Sequence, residues 1–309
     1  MTRILITGGA GMVGRALAEA LPTSMMVVTD LTSTGLPDDV TFRRMDVTGN
    51  DPDKIIGQER PDIVVHLASI VTPPPGMTRE QAFAVDVTGT RNVLAACIAH
   101  GVKRLVVTSS GAAYGYHADN PVPLCEEDPC RGNPEFAYAD HKRQVEEILA
   151  DARKEHPQLE QVILRVGTVL GAGTDNQITA LFHRKRLLAV RGSDSPFVFI
   201  WTHDLVRIVK RAATDGPAGI YNVAGDGWLS VDNLAQILNK PVLRMPAWAL
   251  KVALALAHPL GISQYGPEQV RFLQYRPVLD NNKLKTVFGY TPELTSAEVF
   301  DLWKREAGL

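Results

Sequence analysis

The sequence predicts an α/β fold: a doubly wound parallel sheet with a smaller, mostly helical lobe. Three observations predict it. Short apolar runs alternate with helix-like stretches from the first residues onward, the pattern of parallel strands covered by helices on both faces. A glycine-rich stretch from Gly8 to Gly14 separates the first apolar run from the first helical pattern. An acidic residue, Asp30, closes the second apolar run.

Taken in order, Ile4-Leu5-Ile6 reads as the first buried strand, and Met12 to Leu21 as a helix ended by Pro22. Met25 to Thr29 and Val40 to Met45 read as the second and third strands, and Asp62 to Leu67, opened by Pro61, as the fourth. The run Pro73-Pro74-Pro75-Gly76 is a stiff loop, not a linker. A long helix fits Arg79 to His100, stopped by Gly101. Leu105-Val106-Val107 is a fifth strand, Phe136 to Lys154 a helix, and Val162-Ile163-Leu164 a sixth strand. Phe197 to Trp201 reads as a further strand with a helix from Asp204, and the chain returns to the main sheet just before Asn222 to Asp226. From Ser230 onward the pattern is mainly helical. The sheet domain is therefore expected at residues 1–170 plus 197–229, and the lobe at 171–196 plus 230–309.

Composition narrows the function. The chain has 309 residues, 45% of them apolar and 21% charged, which suits a large core. Its 32 basic and 34 acidic residues leave a net charge of −2, so nothing global points to nucleic acid. Three cysteines without a C-x-x-C pair argue against a disulfide framework and against zinc, and fit a reducing, cytoplasmic setting. His66, His117, His141 and His203 lack metal-ligand spacing. The first strand begins too early for a signal peptide. The most apolar stretch, Trp248 to Leu260, is interrupted by Lys251, His258 and Pro259. It is shorter than the ~20 residues a membrane span needs. It reads as a helix of the fold, with a membrane-surface contact as the alternative.

Gly9-Ala10-Gly11-Met12-Val13-Gly14 fits G-x-G-x-x-G, with Gly8 immediately before it. The pattern carries weight here because it follows a strand and opens a helix. Glycines allow a tight turn and bring backbone N–H groups up to a pyrophosphate at the helix N-terminus. Asp30 stands where an acidic residue binds the ribose hydroxyls, and it would repel a 2′-phosphate. Leu31-Thr32-Ser33-Thr34 supplies no cation for that phosphate, so the reading is NAD over NADP. No G-K-[ST] follows the loop, and no G-x-S-x-G is present, which disfavours nucleotide hydrolysis and serine-hydrolase chemistry.

Tyr138 and Lys142 lie four apart on one face of the helix that follows the fifth strand. That strand ends in Thr108-Ser109-Ser110, at the carboxyl edge where parallel sheets bind ligands. With these residues the chain resembles the extended short-chain dehydrogenase/reductases, in the NAD-dependent epimerase/dehydratase branch that includes UDP-galactose 4-epimerase. The glycine loop is that family's Rossmann motif. Asp46-Val47 resembles its adenine-side motif, His66-Leu67-Ala68 its fourth-strand end, and Gly89-Thr90-x-Asn92 a further motif. Ser109-Ser110-Gly111-Ala112-Ala113-Tyr114-Gly115 resembles the serine motif.

The resemblance implies hydride transfer at a secondary alcohol or ketone carbon. Tyr138 would be the acid/base, Ser110 would orient the substrate oxygen, and Lys142 would lower the tyrosine pKa and hold the nicotinamide ribose. It implies NAD contacts from Gly8, Gly11, Met12, Val13, Gly14, Asp30, Asp46, Val47, Leu67, Ala68, Tyr138 and Lys142. A homodimer through the helices bearing Asn92 and Tyr138 is the corresponding expectation. No nucleic-acid partner and no integral membrane segment are expected.

The chain also departs from the family pattern. Asp86 stands where Asn is usual, and His141 where a small hydroxyl residue is common. Thr168 replaces an Asn, and Phe197 an Arg, that contact the diphosphate in sugar-nucleotide members. Arg191, Arg271 or Arg276 could compensate, or could be plain surface arginines. The substrate is expected beside Ser110, Gly111, Thr168 and Phe197. A sugar nucleotide is the default, and a less charged compound of the 3β-hydroxysteroid dehydrogenase type the alternative. Gly111-Ala112 stand where dehydratases carry acids, so dehydration is disfavoured. A non-catalytic NAD sensor is the reading from a different class. Tyr114, Tyr116 and His117 read equally as substrate lining or as a packed loop. Glu126-Glu127-Asp128 reads as a solvated acidic turn.

Overall fold

The structure, a computed structural model, describes residues 2–174, 176–260 and 266–309. The first half runs β1 (Ile4–Thr7), α1 (Met12–Ala20), β2 (Met26–Asp30), β3 (Thr41–Arg44), α2 (Asp51–Glu59) and β4 (Ile63–His66). A helical stretch follows as α3 (Arg79–Phe83) and α4 (Gly89–Ala99), joined by a π turn over Ala84–Thr88. Next come β5 (Arg104–Ser110), α5 (Ala137–Glu155) and β6 (Glu160–Val166). The second half runs β7 (Thr168–Leu170), α6 (Gln177–Phe182), β8 (Leu187–Val190), β9 (Phe199–Trp201), α7 (Thr202–Ala212) and β10 (Gly219–Val223). It ends with α8 (Val231–Leu238), β11 (Val242–Met245), α9 (Ala247–Ala257), α10 (Gln269–Gln274), α11 (Asn282–Thr286) and α12 (Ser296–Glu306).

Seven strands form one parallel sheet in the order β10-β6-β5-β4-β1-β2-β3. Alternate residues of each strand feed opposite faces. Ile4, Ile6, Val65 and Val106 pack with Leu17 of α1 and Ile208 and Val209 of α7. Leu5, Val64, Leu105 and Val107 pack on the other face with Ile56, Val93, Val145 and Leu149. Burial on both faces explains why the strands read as continuous apolar runs rather than alternations. Strand order reverses between β1 and β4, which places the switch point at the ends of those two strands.

Two short parallel ribbons, β7 with β9 and β8 with β11, stand outside the sheet. A third core joins Leu170, Phe182, Phe199, Leu234 and Phe300 around them. Leu284 and Phe288, far along the chain, pack instead into the main sheet's core. The stretch Arg79–Ala99 has the length and composition of a membrane span, yet half of it is buried inside the fold. The π turn also divides what reads from sequence as one helix.

Candidate active site

The glycine loop is built by close approach. Gly8 has φ +69°, and a Cβ there would lie 2.5 Å from the Ala68 nitrogen. A Cβ on Gly14 would lie 2.5 Å from the Gly8 oxygen. Gly11 caps α1 with no side-chain hydrogen bond, so no side chain occupies the first amide groups of the helix, at Met12 and Val13. Asp30 Oδ2 accepts from the Ala10 amide at 2.9 Å and Oδ1 from the Leu31 amide at 2.7 Å. Asp46 accepts from the Thr48 hydroxyl and amide, which hold its carboxyl below the usual range. The Val47 oxygen accepts from Asn92 Nδ2 at 2.9 Å. Leu67 donates its amide to the Thr7 oxygen at 3.1 Å, which sets Leu67 and Ala68 at the switch point.

Ser110 ends β5, and its hydroxyl accepts from the Ala112 amide at 3.1 Å. Tyr138 and Lys142 reach the same edge from α5. Lys142 Nζ donates to the Thr108 oxygen at 2.9 Å and lies 5.7 Å from the Tyr138 ring centroid. Desolvation raises the Tyr138 hydroxyl to about 12, partly countered by its hydrogen bond with Ser110 and reinforced by Asp86. Desolvation lowers Lys142, opposed by the carboxylates of Asp86 and Glu146. The three residues read as catalytic thus converge, but the chain alone holds the tyrosine above its ordinary value.

Two departures noted separately in the sequence prove to be partners. Asp86, turned inward on the π turn, meets His141 Nδ1 at 3.0 Å through Oδ2, and both side chains are buried. Its Oδ1 accepts from the Ile70 amide at 2.7 Å and the Ser69 hydroxyl at 2.9 Å. Burial pushes the Asp86 carboxyl up, but His141, Lys142 and these two donors outweigh it and hold it below 3.8. Asp86 therefore ties the loop after β4 to the helix that carries Tyr138 and Lys142. His66 sits nearby between the hydroxyls of Thr7, at 2.7 Å, and Thr90, at 3.0 Å. Burial, reinforced by Lys142, brings His66 down to about 3, so it bridges them as a neutral ring.

Beneath Ser110 lies a second buried pair that sequence reasoning missed. Arg165 donates to both Glu146 oxygens at 3.0 and 3.1 Å, to Tyr114 Oη at 2.8 Å and to the Glu126 oxygen at 2.9 Å. Tyr114 Oη also donates to Asn222 Oδ1, so it belongs to the scaffold. Tyr116 is buried against Phe136 and Phe272, and His117 bonds the Gly132 oxygen. The acidic turn needs correction: Glu126 is buried and accepts from the Asn222 amide at 2.7 Å, because β10 needs a partner for that amide there.

On the substrate side, buried Gly111 faces Leu279, with 3.1 Å left for a Cβ. Thr168 donates its amide to the Val198 oxygen at 3.2 Å. Phe197 is buried in the third core and carries the Arg276 guanidinium 3.7 Å above its ring. Arg276 donates to the Pro196 and Ser195 oxygens, each at 2.9 Å, and to the Phe272 oxygen at 3.4 Å, and has no carboxylate partner among the described residues. Burial lowers it to about 9. Arg271 pairs with Glu135 at 3.0 Å, and Arg191 is exposed. Among the described residues, no cluster of three His, Cys, Asp or Glu could hold a metal.

The family model described as the NAD dependent epimerase/dehydratase family matches residues 4–224. An uncharacterised protein of Mycobacterium tuberculosis is 24% identical over 87% of this chain and 72% of its own length. The UDP-glucose 4-epimerase of Azospirillum brasilense is 30% identical over 62% of this chain and 60% of its own. A 3beta-hydroxysteroid-dehydrogenase/decarboxylase of Arabidopsis thaliana is 25% identical over 93% and 75%. Among solved structures, the Thermotoga maritima UDP-glucose 4-epimerase with UDP-glucose superposes at a TM-score of 0.76, with 20% identity and 99% of both chains covered. The Bordetella bronchiseptica enzyme WbmG with NAD and UDP superposes at 0.74, with 22% identity over 99% of this chain and 94% of that one.

Proposed function

The chain belongs to the NAD-dependent epimerase/dehydratase family, and from that membership we propose that it is an oxidoreductase acting at a secondary alcohol or ketone carbon. The observation that carries the reading is the convergence of Ser110, Tyr138 and Lys142 at the carboxyl edge beside the switch point. The residues present fit NAD, because a Cβ on Gly8 or Gly14 would fill the cradle with a backbone clash. Gly8, Gly11, Met12, Val13 and Gly14 would hold the pyrophosphate, Asp30 a ribose, and Asp46 and Val47 the adenine side. Leu67, Ala68, Tyr138 and Lys142 would hold the nicotinamide end. Bound NAD supplies the hydride acceptor or donor.

The chain's own residues handle the proton. Ser110 orients the substrate oxygen, and Tyr138 Oη takes up or gives back its proton. Lys142, anchored on the Thr108 oxygen, favours the phenolate by its charge.

A sugar nucleotide is the default substrate. Arg276 supports it: a buried cation without a carboxylate partner among the described residues, within electrostatic reach of Tyr116, suits an anionic group. Two observations favour the second reading, a less charged hydroxy or keto compound. Phe197 stands at the usual clamp position, and Arg276 already donates to three carbonyls. In either case residues 171–196 and 230–309, apart from the segment around Leu284 and Phe288 that packs into the main sheet's core, would supply the substrate lobe, and α4 with α5 would form a homodimer interface.

The test begins with the NAD and NADH released on denaturing fresh protein. Near-stoichiometric NAD that survives dialysis supports an epimerase, and UDP-sugars are tried next. Reversible NADH binding supports net oxidation or reduction of an uncharged substrate. Tyr138→Phe should bind cofactor and lose most turnover, and unchanged turnover removes Tyr138 from the mechanism. Cofactor binding without turnover of any alcohol or ketone would make the chain a sensor.

A further inference from the structure

Helix α9 is apolar apart from Lys251, yet of its eleven residues only Leu250 is buried. Leu250, with Leu254 behind it, packs on Leu188 and Val190 of β8 and on Val270 and Leu273 of α10. The opposite side carries Trp248, Val252 and Leu256 at four-residue spacing, exposed by 71%, 53% and 65%, and Leu260 beyond the last turn is exposed by 71%. A helix with apolar residues on both its packed and its outer side belongs in a core or against lipid. This one lies on the surface. At ~1.5 Å per residue it is too short to cross a bilayer.

Charge identifies what covers it. From Asn233 to Pro267 the chain has no Asp or Glu, while Lys240, Arg244 and Lys251 fall within that stretch. Arg244 pairs with Asp232, but Lys251 is exposed and has no carboxylate among the described residues. The loop His183-Arg184-Lys185-Arg186 is exposed throughout, and its three strong cations have no acidic partner among the described residues. That loop opens β8, whose Leu187 pairs with Val242 of β11, beside exposed Leu243. The four-residue ribbon is only ~13 Å long, so the basic loop and α9 border one patch. A second copy of the chain would set these cations against their own images. An anionic lipid surface matches both the apolar stripe and the charge.

We propose that α9 and the basic loop 183–186 dock the protein on an anionic membrane surface, with α9 lying along the surface and not crossing it. This inference is independent of the substrate reading.

The test is cosedimentation of the full chain with phosphatidylcholine vesicles, with and without phosphatidylglycerol. The wild type should pellet with the anionic vesicles, weakly with the neutral ones, and less as salt rises. Trp248→Ser/Leu256→Ser should weaken binding at least about tenfold. Arg184→Gln/Lys185→Gln/Arg186→Gln should weaken it about fivefold for each charge removed. Both variants change exposed side chains, so their melting temperatures should match the wild type's. Equal pelleting of wild type and variants overturns the proposal, as does no pelleting of the wild type. If the wild type ignores vesicles and sediments as a dimer that Trp248→Ser/Leu256→Ser converts to monomer, the face belongs to a second copy.

Discussion

Replacing Asp86 by Ala removes one carboxylate and leaves three donors without an acceptor: the Ile70 amide, the Ser69 hydroxyl and the His141 ring nitrogen. Ser69 and Ile70 are only partly buried, whereas the His141 ring is enclosed. Each orphaned buried donor costs ~1–3 kcal/mol. Against a typical stability of ~5–15 kcal/mol, Asp86→Ala should lower the urea midpoint substantially. Asp86→Asn keeps an acceptor for Ile70 and Ser69 and should cost ~1 kcal/mol. His141→Ala added to Asp86→Ala should cost little more than Asp86→Ala alone, because the two side chains share one interaction. The pH dependence has a definite sign. The Asp86 carboxyl lies below its unfolded value of 3.8, so its contribution is complete above that pH and is lost as pH falls through the lower folded value. The gap between wild type and Asp86→Ala should therefore be flat near neutrality and close only in acid. Strictly additive costs for Asp86→Ala and His141→Ala, or a gap that closes at neutral pH, would refute the pairing.

Gly8→Ala puts a Cβ 2.5 Å from the Ala68 nitrogen at a positive φ, and NAD titration should show affinity down at least about tenfold. Glu146→Ala leaves Arg165 buried and unpaired and should cost ~3–5 kcal/mol in denaturant unfolding. Asp30→Ala should weaken NAD by ~10–100-fold, the worth of one or two hydrogen bonds to a charged group. It should narrow or reverse the preference over NADP, as measured by parallel titrations.

The parallel sheet was legible because strands buried on both faces leave long apolar runs, as in Ile4–Thr7 and Ile63–His66. Helix α2 was not: its buried face is Pro52, Ile55, Ile56 and Glu59, and of these only the two isoleucines read as apolar helix residues. The ribbon of Leu187–Val190 and Val242–Met245 also escaped notice. Its strands are four residues long, and one of them lies largely on the surface. That Tyr138 and Lys142 share one helix face near the end of β5 was legible from spacing, while Ser110 was singled out only through the family resemblance. The Asp86–His141 pair was not legible, since its members lie 55 positions apart and each looks like an isolated substitution. The same holds for Glu126, whose charged neighbours suggest solvent while its partner amide, Asn222, is 96 positions away.

A base at Tyr138 demands more than the chain provides. Burial holds its hydroxyl at about 12, and Asp86 adds to that, while Lys142 spends one donor on Thr108 and lies over the ring. If Tyr138 is the base, NAD held beside Tyr138 and Lys142 would supply the missing stabilisation. A unit positive charge ~5 Å from a phenolate, at an effective dielectric near 20, contributes ~3 kcal/mol, or about two pH units. Oxidised nicotinamide carries such a charge and the reduced form does not. Tyrosinate absorbance, taken as wild type minus Tyr138→Phe, should thus appear about two pH units lower with NAD than without, and should not move with NADH. An equal response to both forms would mean that closure of the site, not charge, activates the tyrosine. No response to either would leave Tyr138 protonated at working pH, able to donate a hydrogen bond but not to act as the base.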